Sequence, residues 1–360
     1  MPRYRHSPII RLVRVKSLFL FFALLAWACG GKNNGTPSAV QNTGKTLKQV
    51  KARGKLVCGV NSQLPGFGYV DPTGKYAGFD IDYCRALTAA IFADPEEVEF
   101  RPLNAQQRFT ALQSGEVDVL IRNTTWTLSR DTDLGANFVA PTFYDGQGMM
   151  VRKNGGISSL EGLAGGTICV QAGTTTELNL ADQMSARGIK YTPVVLETAD
   201  AVFGAYEQGR CDAVTTDKAS LFSRRVVLAK PADHKILDVT MSKEPLGPMV
   251  RHGDDQWLDI VQWTVFATFA AEEYGITSAN LDQVKGSTTD PNIKKLLGLE
   301  GEMGLKLGLG DDWAYNIIKF VGNYGEIYDR NLGPKTPFNI PRSLNNLYTK
   351  GGLLYAMPIR

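Results

Sequence analysis

Apolar and polar positions along this chain fall into a strand–helix rhythm that starts twice. From Thr46 a short amphipathic helix, with Leu47 and Val50 on one side, runs to a stop at Gly54. Lys55-Leu-Val-Cys-Gly-Val60 reads as a strand, and Asp71-Pro-Thr-Gly74 as a turn. A helix follows Gly78 and reaches about Phe92, with Asp80 placed as its N-cap and Asp82 in the first turn. Residues 98–100 form a strand, 106–113 a helix and 117–121 a strand. The rhythm restarts after Gln147. Residues 160–166 are a short helix with a glycine stop, 167–171 a strand, and 172–177 a loop entering a helix. Residues 191–196 are a strand, 199–208 a helix, and 211–217 a strand ending on an acid. Further on, Trp257, Val261, Phe266 and Phe269 form one apolar face of a helix over 255–269. Trp313, Ile317, Val321, Tyr324 and Tyr328 repeat that spacing over 312–328.

Strand–helix–strand units of this kind predict an α/β fold with mostly parallel sheets. The second unit begins near Met150 and ends near Met249. The chain therefore crosses between units twice, with hinges expected at 145–151 and 245–251, where Gly or Pro adjoins extended apolar residues. One lobe comprises 46–147 and 250–360, whose tail returns to cover it; the other comprises 148–249. Two crossing strands imply hinged closure on a ligand.

The N-terminus alters the charge balance. Arg3, Arg5, Arg11, Arg14 and Lys16 precede an apolar run from Leu18 to Ala26, shorter than the ~20 residues a membrane span needs. Residues 1–28 read as a signal peptide. Cys29 follows Ala26-Trp27-Ala28, a sequence similar to the cleavage box of bacterial lipoproteins. The two expectations are lipidation of Cys29 and cleavage nearby with release. Residues 29–45 read as a flexible tether. Removing the five basic residues of 1–28 from the formal charge of +3 leaves −2. A near-neutral body excludes the electrostatic footprint of a nucleic-acid binder.

Cys58, Cys84, Cys169 and Cys211 remain, an even number in an exported chain. Cys58 and Cys84 lie on the first strand and first helix, and Cys169 and Cys211 both lie mid-chain. The expected bridges are Cys58–Cys84 and Cys169–Cys211. With no CxxC and only His6, His234 and His252, a metal site is not expected. No cofactor is expected either.

Three loops at strand ends carry the candidate chemistry, since open α/β sheets place ligands there. Residues 123–130 offer Asn123, Thr124, Thr125, Thr127 and the guanidinium fork of Arg130, which matches a carboxylate. Residues 173–176 sit at a helix start, whose amides form an anion site. Asp217 ends a strand and can accept from an ammonium group. Together these groups describe an α-amino-acid headgroup.

Gly78-Phe-Asp-Ile-Asp82, Asn123-Thr-Thr-Trp-Thr-Leu-Ser-Arg130, Gly173-Thr-Thr-Thr-Glu177 and Cys211-Asp-Ala-Val-Thr-Thr-Asp217 resemble the polar amino-acid-binding family of periplasmic solute-binding proteins (family 3). The closest branch is the general L-amino-acid-binding proteins of ABC importers. The resemblance extends from about Thr46 to Arg360. It implies a two-lobed type II periplasmic-binding-protein fold with two crossing hinge strands. It also implies a monomer that binds an L-amino acid and delivers it to an ABC permease, touching the membrane only through a lipid anchor. Arg130, with Thr125, then grips the carboxylate, and the Thr175 amide beside Thr174 approaches it. Asn123 meets the amino group, which Asp217 neutralises. Arg122 reaches acidic or amide side chains or borders the pocket. Gln63, Phe67 and Gln107 are candidates for the side-chain pocket. A dehydratase on the same scaffold and a ligand sensor are the alternatives to transport. No histidine near these motifs and no Ser–His–Asp set supports the enzyme.

Overall fold

The computed structural model describes residues 44–360. The leader 1–28, Cys29 and all but the last two residues of the tether 29–45 lie outside the described residues. Two five-stranded sheets carry the fold and share one strand order. The first runs Val98–Pro102, Leu56–Val60, Val119–Leu120, Met249–Arg251, Ala136–Phe138; the second runs Thr192–Leu196, Thr167–Gln171, Ala213–Asp217, Gln147–Arg152, His234–Ile236. In each sheet the first three strands are parallel. The fourth arrives from the other half of the chain and lies antiparallel to both neighbours. The sheets are therefore mixed, with fewer parallel pairings than the strand–helix rhythm suggests. That rhythm registers crossover helices but carries no sign of an inserted return strand.

The chain passes between the sheets through Phe143–Asp145 and Glu244–Leu246, which pair antiparallel with Tyr144 opposite Pro245. This ribbon overlaps the first residues of both hinges expected from sequence, at Asp145 and at Pro245 and Leu246. Gln147–Arg152 and Met249–Arg251 already belong to sheets, and the stretch from Gln147 to Val151 is buried throughout. A continuous apolar run of this kind marks a central strand covered on both faces, not a pivot.

The helix Phe79–Phe92 starts differently from expectation. Gly78, at φ 129°, is its N-cap, and a Cβ there would sit 2.2 Å from the Phe67 carbonyl oxygen. Asp80 is buried within the first turn and accepts the Asn123 N–H at 2.8 Å. Its carboxylate thus holds the candidate ligand loop instead of capping its own helix.

Helix Asp255–Glu273 buries Trp257, Val261, Phe266 and Phe269 as its spacing predicts, and Trp257 Nε1 donates to the Asp118 carbonyl at 3.0 Å. The pattern over 312–328 is two helices, Trp313–Phe320 and Tyr324–Asn331. They part at Gly322 (φ 94°), after which Asn323 and Glu326 form a capping box. The apolar face survives the break: Trp313, Ile317, Val321, Tyr324 and Tyr328 are all buried in the first sheet's core cluster. The tail also braces the ribbon. Asn345 Oδ1 accepts from Tyr144 N–H at 2.7 Å, its Nδ2 donates to Tyr144 C=O at 3.0 Å, and Arg342 forks onto Glu272 at 2.7 and 2.9 Å.

Both expected disulfides are present, Cys58–Cys84 and Cys169–Cys211, each tying a strand to its own side of the ribbon. Closing a loop of 42 residues stabilises through the unfolded chain. Replacing Cys169 and Cys211 together by Ser should lower the unfolding free energy by about 2–4 kcal/mol. An unchanged urea midpoint would show that the bridge does not restrain the chain.

Candidate functional site

The polar loop after strand Val119–Leu120 is fixed from several directions. Asn123 adopts φ 33°, donates its N–H to Asp80, and accepts from Asn61 Nδ2 at 3.1 Å. Beyond it the chain zips onto the ribbon: Gly247 N–H donates to Thr124 C=O at 3.0 Å, and Trp126 N–H to Pro245 C=O at 2.8 Å. The helix Leu128–Asp133 then begins, in a stretch the sequence reads as loop. Its N-cap Thr127 accepts from Arg130 N–H at 3.3 Å. This first turn swings the Arg130 guanidinium back to donate to Thr125 C=O at 3.0 Å, 5.2 Å from the centre of the Phe109 ring. Among the described residues Arg130 has no carboxylate within ion-pair distance.

The facing side comes from the second sheet. Gly173 has φ 72°, and a Cβ there would meet Gln106 Cγ at 2.9 Å, so the two sides approach closely at this point. Thr174 caps helix Thr175–Ala186 by accepting from Glu177 N–H, while Glu177 accepts from Gly173 N–H. Thr175 Oγ1 donates to Glu244 Oε2 at 2.9 Å and lies 3.4 Å from Thr125 Oγ1. Asp217, at the end of its strand, is 5% exposed. Among the described residues nothing bonds to its carboxylate. At the rim, Phe109, Ser129, Arg130, Thr174 and Glu177 border a cleft of about 310 Å³.

Charged groups gather here, with Arg108, Arg122, Asp217 and Glu244 buried and Arg130 and Asp145 half-buried. Arg108, Arg122 and Arg130 lie on one side, and Asp145, Glu244 and Asp217 on the ribbon and the other side. Burial pulls Arg122 down to about 10 against the opposing charge of Asp80, and burial with the Arg130 and Arg122 guanidinium groups holds Arg108 well below its ordinary value. Burial, then Asp145 and Glu244, raise Asp217 well above the carboxylate range, while Arg108 and Arg130 oppose the rise. Burial likewise pushes Asp80 up to about 7 against the Asn123 N–H and Arg122.

Of the residues singled out from sequence, Arg122, Asn123, Thr125, Arg130, Thr175 and Asp217 meet here. Two of the remaining four, Phe67 and Gln107, do not take the places expected. Phe67 is 1% exposed and packs edge-on against Phe79 and Phe143, so its ring serves the aromatic core. Gln107 is exposed, and its Oε1 accepts from Asn104 N–H. The Thr174 hydroxyl is spent on the cap and on Gln171 C=O. Gln63 lies half-buried on a short strand near helix Ala199–Glu207. Sequence reading missed Arg108, Asp145 and Glu244. Arg108 is one position from Gln107, about 100° further round the same helical turn; the spacing to buried Ala111 and Leu112 marks its inward face. Glu244 and Asp145 fall in segments read only as hinge.

Two mixed sheets in this order, joined by a crossing ribbon with polar strand-end loops opposed across it, define a two-lobed type II periplasmic-binding-protein fold. The chain belongs to the bacterial extracellular solute-binding proteins, family 3, whose family model matches residues 56–279. It is 55% identical over 317 residues to the general L-amino acid-binding periplasmic protein AapJ of Rhizobium johnstonii, covering 88% of this chain and 93% of that protein. It is 54% identical, at the same coverage, to the glutamate/glutamine/aspartate/asparagine-binding protein BztA of Rhodobacter capsulatus. A solved structure of an ABC transporter/periplasmic binding protein from Brucella ovis with glutathione bound is 55% identical, with a TM-score of 0.85. That match covers 88% of this chain and 99% of the other.

Asp80 gives the site a measurable pH signature. Its folded value near 7 exceeds the unfolded ~3.9. Between those values only the folded state holds the proton. The contribution of Asp80 to stability therefore falls as pH rises from about 4 to 7, by at most ~1.4 kcal/mol per pH unit, and is lost above 7. Asp80→Asn should remove one proton's share of this slope in urea titrations from pH 4 to 8. An unaltered slope would assign the proton elsewhere.

Proposed function

We propose that this chain is the extracytoplasmic receptor of an ABC importer, closing two lobes on an L-amino acid and presenting it to a membrane permease. The lobes are residues 46–147 with 250–360, and 148–249. The observation that carries this reading is that, among the described residues, the buried carboxylate of Asp217 has no partner and Arg108, Arg122 and half-buried Arg130 form no ion pair. Buried charge is costly unless it is paired. A zwitterion supplies both missing partners at once.

In this arrangement the free edge of the Arg130 guanidinium grips the ligand carboxylate. The Thr125 hydroxyl and the Thr175 N–H at its helix N-terminus assist. Asp217 receives the ammonium group, with Asn123 beside it, and Arg122 borders the side-chain region. Charge-assisted hydrogen bonds contribute ~1.5–3 kcal/mol each. Three or four of them support about micromolar affinity, ~−8 kcal/mol, after ordering costs. The names of AapJ and BztA point to the same ligand class. The role is binding without turnover: His234 is engaged by the Tyr206 hydroxyl at 2.8 Å, apart from the cleft groups. The protein works as a monomer in the periplasm, either released or anchored through a lipid on Cys29.

Arg130→Ala should weaken amino-acid binding at least ~100-fold by calorimetry, the equivalent of two charged hydrogen bonds. Near-normal affinity would sink the carboxylate assignment. Asp217→Asn should weaken amino acids far more than their deaminated analogues, and equal losses for both would remove Asp217 from the amine. Prolonged incubation with bound amino acid should yield no new product by mass spectrometry.

A further inference from the structure

Arg108 has no part in the headgroup scheme, yet it is among the most buried polar groups near the cleft, at 2% exposed. It stands in the first turn of helix Gln107–Ser114 with its side chain turned inward. Its guanidinium lies 4.7 Å from the centre of the Phe109 ring, the ring that Arg130 also covers. Nη1 makes one long bond, 3.4 Å, to Thr124 Oγ1. Nε is shut off from solvent without a partner. Arg122 differs, because its Nε is spent on Leu103 C=O at 2.7 Å. A guanidinium only donates, so what Arg108 lacks is an acceptor, and a buried donor without one is destabilising.

Position adds a second argument. Arg108 bonds to Thr124 and Arg130 to Thr125, so the two forks are anchored on consecutive residues and flank one aromatic ring. The two guanidinium carbons lie 4.7 and 5.2 Å from the centre of that ring, close enough for a ligand that holds its carboxylate on Arg130 to reach Arg108 with a side chain of a few carbons.

We propose that Arg108 selects the ligand side chain, donating Nε–H and an Nη–H to a terminal oxygen group, carboxylate ahead of carboxamide. This rests on the amino-acid reading given above. Arg122 and Arg130 both repel Arg108, which favours an anionic side chain over a neutral one and rejects a cationic one. The favoured ligands are therefore dicarboxylic amino acids and their amides, and lysine is excluded.

The test is calorimetry on the full mature chain with glutamate, glutamine, methionine and lysine. Methionine matches the length of glutamate but presents no oxygen. Glutamate and glutamine should bind wild type at least ~30-fold tighter than methionine. In Arg108→Met glutamate should lose ~30-fold or more while methionine stays within about threefold. Arg108→Lys, which keeps the charge without the fork, should retain part of the glutamate preference and lose that for glutamine. Wild type binding methionine as tightly as glutamate overturns the proposal without any variant. So does an Arg108→Met protein that weakens both ligands equally. Wild type binding none of the four amino acids overturns the amino-acid reading itself, and this proposal falls with it.

Discussion

Everything in the cleft depends on the backbone pairing of the crossing ribbon. Phe143–Asp145 and Glu244–Leu246 bond to each other, and the ligand loop is zipped onto the same strand through Thr124 and Trp126. Thr125 forms a β-bridge with Leu246. The strands that connect the lobes are thus also the wall against which the candidate binding loop is aligned. Two of the cleft's acids, Asp145 and Glu244, are ribbon residues. A shift of the ribbon moves the 123–130 loop and the acidic groups together.

The second constraint is electrostatic. Three arginines and three acids lie buried or half-buried near one another, and among the described residues Arg130 and Asp217 are left without a direct ion pair. Removing charges from water is repaid only by good partners. Satisfied groups sit at the periphery: Glu244 accepts from Thr175, Asn179 and Ser242, and Asp145 from the amides of Gly146 and Ala219. Unsatisfied ones sit at the centre, as expected where binding groups are held ready at some expense to stability.

The parts of this arrangement legible in the sequence were those with a local signal. Strand-end position plus side-chain chemistry singled out Arg130, Thr125 and Asp217, which the fold brings to one cleft, and export context plus element membership gave both disulfides. What escaped depends on tertiary direction. Arg108 reads as one polar residue among several at the start of a short helix, and only its face tells it from Gln107. Phe67 looks like a pocket aromatic until Phe79 and Phe143 close around it. Asp80 fits an N-cap by type, but Gly78 takes that place because no Cβ fits beside Phe67 C=O. The division of the 312–328 helix was signalled locally by Gly322 and the Asn323–Glu326 box, and the stronger apolar spacing hid it.

The clamp of Asn345 on Tyr144 has a consequence for inheritance and design. Both atoms it holds are main-chain atoms, so no substitution at 144 short of proline removes its targets; the sensitivity resides entirely at 345. That residue lies beyond the span 56–279 shared with the family at large. A late stretch of chain, outside the common domain, therefore backs one end of the pivot that the common domain relies on. Transplanting this cleft into a shorter relative without its tail would move the binding groups but leave behind the brace that sets how they swing.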